Sequence, residues 1–283
     1  MPNVPSPAPI APAEAGLIAA VAAALAASPG RVQVIEHGGL QYVAKRLADR
    51  PRSWVQALFL RWLVKRITGQ PLPMRTLLLK DAAASVRYEA RRLAALAQAG
   101  VAVPRVVHEA PDYLLMAHCG ETLAALIERW PLDTCRAEMA RLATELGVFH
   151  RAGHWHGAAQ IKNLTRQHGL TYRIDFEEDF GELAPLPEVQ ALDLVLFLNS
   201  VSLAGPIVEA EARRLLPQLV AAYFAANPDP QVRAAVVRAM PWGTGLARLA
   251  APFRGLTSKG RPRKGAARVV IMVDALAAAL KAP

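Results

Sequence analysis

The alternation of apolar and polar positions changes period along the chain, from short strand-like runs to long helical ones. Residues 31–47 read RVQVIEHGGLQYVAKRL, with Val32, Val34 and Ile35 before His37-Gly38-Gly39 and Leu40, Tyr42 and Val43 after it. That pattern predicts a β-hairpin turning on the glycine pair, with Lys45 at the end of its second strand. Upstream lie a Pro-rich start over 1–12 and an Ala-dominated run over 16–27, expected as a flexible segment and a short helix. Residues 81–99, DAAASVRYEARRLAALAQA, predict a helix opening at Asp81 and stopped by Gly100. Two strands are expected next, over 101–109 and 113–117. Helical periodicity then dominates over 122–130, 133–152, 190–203 and 206–226, broken by a polar stretch over 156–178 that holds one short strand at 170–174. An apolar helix over 269–280 is expected to dock on the body or on a membrane.

The resulting expectation is an α+β chain with a small sheet-rich N-terminal lobe over 31–120 and a larger helical lobe over 121–245. Residues 1–30 precede these lobes and a basic tail over 246–283 follows them. Residues 54–66, WVQALFLRWLVKR, form an inserted helix in which Arg61 and Lys65 share one narrow stripe and Trp54, Val55, Leu58, Phe59, Trp62 and Leu63 fill most of the rest. Such a helix either packs into a groove or lies in a membrane interface, where Trp and basic residues are favoured.

Composition narrows the picture. Of 283 residues, 53% are hydrophobic and 20% charged, enough apolar material for at least one full core. Disorder as the main state is excluded. Two cysteines, Cys119 and Cys135, cannot build a disulfide framework or a four-thiolate zinc site, and small core residues are their expected role. No basic segment precedes the apolar run over 16–27, and no apolar stretch reaches the roughly 20 residues that span a bilayer. A cytoplasmic protein is therefore expected.

Charge is unevenly placed on a chain of net charge +10. Lys45, Arg46, Arg50, Arg52, Arg61, Lys65 and Arg66 are opposed only by Asp49, and Arg248, Arg254, Lys259, Arg261, Arg263, Lys264 and Arg268 by no acid, so the remaining chain is acidic. Two basic patches on an otherwise acidic body predict an anionic partner. The second patch carries no aromatic after Phe253, so the stacking that accompanies charge in single-strand binding is missing and nucleic acid is not the expected partner. An anionic membrane surface or lipopolysaccharide remains. It would be met through Arg50, Arg52, Trp54, Arg61, Trp62, Lys65 and Arg66, and through Lys259, Arg261, Arg263 and Lys264.

The candidate chemistry lies in a succession of motifs: Val43-Ala44-Lys45 on a strand, Tyr88-Glu89-Ala90 in a helix, then a break near His118 to Glu121. FHRAGHWHGAAQIKN follows, ending at Asn163, and then Asp175-Phe176-Glu177-Glu178. This succession resembles the protein-kinase-like fold over roughly residues 31–200. The loop from His156 to Asn163 stands for a His-Gly-x-x-x-x-x-Asn catalytic loop, and Asp-Phe-Glu stands where Asp-Phe-Gly occurs. The segments EARRLAALAQAGVAVPRVV and FHRAGHWHG are similar to counterparts in the lipopolysaccharide core (Kdo/heptose) kinase family and related atypical bacterial kinases. The resemblance implies a bilobal kinase-like architecture that binds ATP and Mg²⁺ and works at the inner membrane surface. Lys45 would contact the nucleotide phosphates with Glu89 orienting it, Asn163 and Asp175 would hold Mg²⁺, His156 would brace the loop, and Asp193 would hold the loop backbone.

Two departures qualify that reading. The position two after His156, where the family has its proton-accepting Asp, is Ala158, and nearby Gln160 can orient a hydroxyl but is no base at neutral pH. No glycine-rich phosphate loop precedes Lys45; only Gly30, Gly38 and Gly39 stand between the Ala-rich helix and that lysine. An active phosphotransferase of low or atypical activity and a pseudokinase that binds or regulates both remain open. A phosphotransferase for aminoglycosides or small metabolites is a third reading, hinted at only by the acidic run Glu177, Glu178 and Asp179, which otherwise reads as a solvated turn. His150, His154, His156 and His168 lack an acidic HExxH context, so zinc has little support.

Overall fold

The computed structural model describes residues 14–46, 58, 61, 65, 82–182, 184–253, 257–258, 261–262 and 264–281. The Pro-rich start, Arg50, Arg52, Trp54, Trp62, Arg66, Asp81, Lys259 and Arg263 lie outside those residues. Of the expected inserted helix only Leu58, Arg61 and Lys65 are described, all helical. The architecture is α+β, a small antiparallel sheet followed mainly by helices, and the chain divides into two compact units.

The first unit gathers residues up to 60, 73–121 and 164–179. Its opening helix, α1 (Ala15–Ala27), buries Leu17, Val21 and Leu25, a stripe at i, i+4 and i+8 that falls on one helical face. That stripe packs on Ile35, Tyr42, Ala44, Val107 and Leu115 of the sheet. Helix α1 therefore belongs to the core of this unit rather than preceding it as a separate segment. Strands β1 (Val32–His37) and β2 (Leu40–Arg46) pair antiparallel from Val32↔Lys45 to His37↔Leu40. The connecting Gly38 and Gly39 have φ of 58° and 73°, the left-handed pair a two-residue hairpin turn requires.

Helix α2 (Ala82–Gln98) buries Val86, Glu89, Ala90, Leu93 and Leu96, so one carboxylate rides on an otherwise apolar face. Its end is a Schellman turn, in which Gly100 at φ 78° donates to the Ala97 carbonyl and Val101 donates to that of Leu96. Strands β3 (Val106–Glu109) and β4 (Tyr113–Ala117) complete a sheet of order β1-β2-β4-β3. The strand expected from residue 101 begins only at Val106; Pro104 has no N–H to give a ladder. A two-residue strand, β5 (Glu121–Thr122), follows. Farther along, β6 (Leu164–Gln167) and β7 (Leu170–Arg173) form a second hairpin over His168 and Gly169, both at positive φ.

The second unit holds residues 122–163 and 180–283 together with 61–72. Its helices are α3 (Leu123–Ile127), α4 (Leu132–Arg151), α5 (Leu186–Val201), α6 (Glu209–Ala226), α7 (Pro230–Ala250) and α8 (Lys264–Lys281). Helices α4 and α6 pack closely at Gly147, where an added Cβ would lie 2.7 Å from both the Ala226 methyl and the Tyr223 carbonyl oxygen. Across the same pair Arg136 grips Glu211 with two hydrogen bonds of 2.6 and 2.7 Å. The terminal helix α8 packs on α6 and α7 through Ile271, Val273, Ala275 and Leu276, all buried. Of the two places expected for it, the body is the one it occupies. No described helix is long and apolar enough to cross a membrane.

Candidate functional site

The residues singled out from sequence fall into two sets, one in each unit. In the first, Lys45 is the last residue but one of β2, and its side chain points into the unit and keeps only 5% of its surface exposed. A buried ammonium requires compensating charge. Lys45 Nζ lies 2.9 and 2.8 Å from the two Glu89 oxygens, 2.5 Å from Asp175 Oδ1 and 3.5 Å from Glu177 Oε2. Glu89 is fully buried, and its Oε1 also accepts from the Phe176 N–H at 3.2 Å. One carboxylate thus holds both the lysine and the backbone that follows Asp175.

Three carboxylates share this ammonium, and one more cation, Arg31, pairs with Glu177. Counting these five side chains as ionised, the cluster is net negative. Burial alone lowers the proton affinity of Lys45, but Glu89, Asp175 and Glu177 reverse this and hold it above its ordinary value. Burial pushes the Glu89 carboxyl up, and Lys45 only partly opposes the shift. Both shifts run toward proton retention, as a surplus of carboxylates dictates.

Asp175 carries a second signature. Its φ is +70°, a left-handed conformation that a non-glycine residue adopts at a cost of order 1 kcal/mol or more. The β6–β7 hairpin delivers this residue: Leu164↔Arg173 closes the ladder, and Arg173 N–H donates to the Ala102 carbonyl at 3.0 Å. The chain leaves β7 fixed, turns sharply at Asp175 and buries Phe176 to 1% exposure. The Asp175 side chain stays 28% exposed, so its carboxylate remains accessible from solvent while it touches Lys45.

The second set is built around Asp193, a fully buried acid on the apolar helix α5. Its oxygens accept from three loop amides, His156 at 2.6 Å, Gly157 at 2.9 Å and Ala159 at 3.3 Å. The imidazole of His150 stands 3.4 Å from Oδ2 on another side. Burial raises the Asp193 carboxyl, but His150, His156 and the amide donors outweigh it and hold its pKa below the ordinary carboxylate range. His156 is buried, and its Nδ1 accepts from the Ala158 N–H at 3.2 Å, which keeps it within the loop. Asn163, also buried, donates its amide to the Ala158 carbonyl at 2.9 Å, leaving its amide oxygen as a donor atom for a cation. Gln160 is half-buried, with its N–H on the Ala158 carbonyl at 2.7 Å.

Several partners were not singled out from sequence. His150 Nδ1 meets the Tyr223 hydroxyl at 2.7 Å, and Asn227 donates to that hydroxyl at 3.1 Å. Gln190 donates to the carbonyls of His150 and His154 at 2.7 and 2.9 Å, tying the end of α4 to α5. The available signal was polarity out of place, since Gln190 is buried on the apolar helix α5 and His150 is buried among the apolar residues of α4. Arg31 had no such signal, and Glu177 stood out only as part of the acidic run Glu177 to Asp179.

The first set can present a fixed ammonium and an accessible carboxylate; the second can present a rigid loop with an oxygen donor. Among the described residues no three His, Cys, Asp or Glu side chains form an all-protein metal cluster. Mg²⁺ does not need one, because it commonly takes one or two protein oxygens and completes its shell with phosphate and water. Asp175 in the first unit and Asn163 in the second each carry an oxygen of the kind that ion prefers. Compared with models of protein families and with curated proteins, the chain matches none.

Proposed function

We propose that this chain is a bilobal kinase-like protein that binds ATP with Mg²⁺ and transfers phosphate at an anionic membrane surface, to a lipopolysaccharide core sugar or another lipid-linked acceptor. The single observation that carries the reading is the buried Lys45–Glu89 pair, with Asp175 beside it in a left-handed backbone. Phosphoryl transfer depends on positioning and charge neutralisation more than on covalent chemistry by the protein. A lysine held rigidly by a buried glutamate supplies a cation for nucleotide phosphates. Asp175 and Asn163 supply the hard oxygens Mg²⁺ prefers, and the ion, once bound, neutralises charge on the transferring phosphate. Asp193 keeps the loop from His156 to Ala159 in one conformation through three amide hydrogen bonds. The basic residues of the two sequence patches favour an anionic surface, each contributing about 1 kcal/mol near such a surface.

The alternative reading, a nucleotide-binding pseudokinase, rests on Ala158. Its backbone is engaged at both ends within the loop and its methyl group offers no proton acceptor. Single-turnover phosphate transfer separates the two. An active enzyme transfers label from ATP to a lipid-linked acceptor, slowly, and Ala158→Asp accelerates the transfer. Nucleotide binding without transfer in either protein supports the pseudokinase.

A further inference from the structure

The chain has no glycine-rich loop ahead of Lys45 with which to cradle phosphate, yet the start of β1 places a second cation beside that lysine. The register Val32↔Lys45 extends one step further, with the Arg46 N–H on the Arg31 carbonyl at 2.7 Å, so Arg31 stands next to the end of β2. Its guanidinium and the Lys45 ammonium meet on the same atom: Arg31 hydrogen-bonds Glu177 Oε2, and Lys45 Nζ is 3.5 Å from that oxygen. Lys45 is almost fully buried, whereas Arg31 and Glu177 keep 32% and 22% of their side chains exposed.

We propose that Arg31 and Lys45 form a two-cation clamp for a phosphate chain, and that Glu177 is its internal competitor, occupying with one carboxylate oxygen the place a phosphate oxygen takes when ligand binds. This rests on the reading of the site as a nucleotide site and names the residue that replaces the missing glycine-rich loop. The physical logic is charge and geometry. Arginine favours planar, bidentate contact with oxyanions, and lysine supplies a point charge. Of the three carboxylates on Lys45, Glu89 is locked in place by its burial and by the Phe176 amide, and Asp175 by its backbone. Glu177 lies two residues beyond the Asp175 turn, touches both cations and keeps 22% of its side chain exposed. In the clamp it turns away as the phosphate binds, and Arg31 and Lys45 exchange one shared anion for another. The contact keeps Arg31 paired while the site is empty of ligand, and it weakens phosphate binding by the strength of the contacts Glu177 gives up.

Titration calorimetry on the full chain tests this with two probes, inorganic tripolyphosphate and Mg-ATP, against wild type, Glu177→Gln, Glu177→Ser, Arg31→Gln, Arg31→Lys and Lys45→Ala. A thermal melt of each variant confirms that it folds, and the two Glu177 variants cover for one another. Both probes should bind about fivefold more tightly to the Glu177 variants than to wild type, the size of a partly exposed ion pair. They should bind about tenfold more weakly to Arg31→Gln, with Arg31→Lys recovering part of the loss. Unchanged or weaker binding by both Glu177 variants overturns the clamp; if wild type then still binds Mg-ATP and Lys45→Ala does not, the nucleotide reading survives without it. Tripolyphosphate binding that depends on Glu177 and Arg31, with no Mg-ATP binding to any variant, upholds the clamp and removes the nucleotide reading. No binding of either probe to any variant overturns both.

Discussion

Lys45 Nζ bridges both carboxylate oxygens of Glu89, at 2.9 and 2.8 Å, from a strand end to the apolar face of a helix 44 residues away. Both side chains are almost completely out of solvent. Removing one member of such a pair strands the other, so Lys45→Met or Glu89→Leu alone should lower stability by about 3–5 kcal/mol. The double substitution should recover part of the loss, with a coupling of about 1 kcal/mol or more in a denaturant-unfolding cycle. Additive single effects would show that the pair is not the unit of stability here.

Asp193 predicts an acid limb in the stability profile. Its pKa is lower in the folded chain than the ordinary carboxylate value near 4, so the unfolded state takes up the proton first. The stabilisation is present above about pH 4 and is lost as pH falls through the lower folded-state value. Asp193→Asn should cost about 3 kcal/mol at neutral pH, because one amide oxygen cannot replace two ionised ones facing three N–H donors, and should flatten the pH dependence below about pH 5. Urea unfolding between pH 3 and pH 7, on scales set by these reference values, checks both effects.

Strain at Asp175 can be isolated by comparing two substitutions that remove the same carboxylate. Asp175→Gly relieves the +70° φ and Asp175→Ala does not, so the glycine variant should be the more stable by about 1 kcal/mol. Both should lose Mg²⁺-dependent nucleotide binding. Equal stabilities would mean that the left-handed conformation costs nothing.

How much of this was legible in the sequence depended on whether a signal was local. The Gly38-Gly39 hairpin, the stop at Gly100 and the helices built on apolar periodicity were readable because each is set by residues within a turn or two of one another. Glu89 was singled out only through the succession of motifs it belongs to, whereas Asp193 also stood out as an acid within an apolar helix. Helix α1 was seen, but its docking was not, because an Ala-rich run shows little contrast between faces and only Leu17, Val21 and Leu25 mark the buried one. Helix α7 was not among the expected helices; Pro241, Gly243 and Gly245 lie inside it, and tertiary packing tolerates them although propensity disfavours them. The Arg31–Glu177 contact, separated by 146 residues, had no sequence signature; it follows from the β1–β2 register and from where the β6–β7 hairpin ends.

The proposed membrane association rests on the basic patches and predicts a salt-sensitive interaction. The full chain should float with vesicles containing anionic lipid and not with neutral ones, and should release as salt approaches about 1 M, where the screening length falls to about 3 Å. Replacing Arg50, Arg52, Arg61, Lys65 and Arg66 by Gln should abolish flotation while leaving nucleotide binding intact. Flotation of that variant equal to wild type would remove the patch from the account.

The most direct test of the central claim is the ATP-induced thermal shift of the full chain in the presence of Mg²⁺, measured for wild type and Lys45→Ala. The account predicts a shift that grows with nucleotide concentration in wild type, as binding to the folded state alone requires, and its loss in Lys45→Ala. A wild-type melting temperature that does not move with ATP, or an equal shift in both proteins, would contradict it.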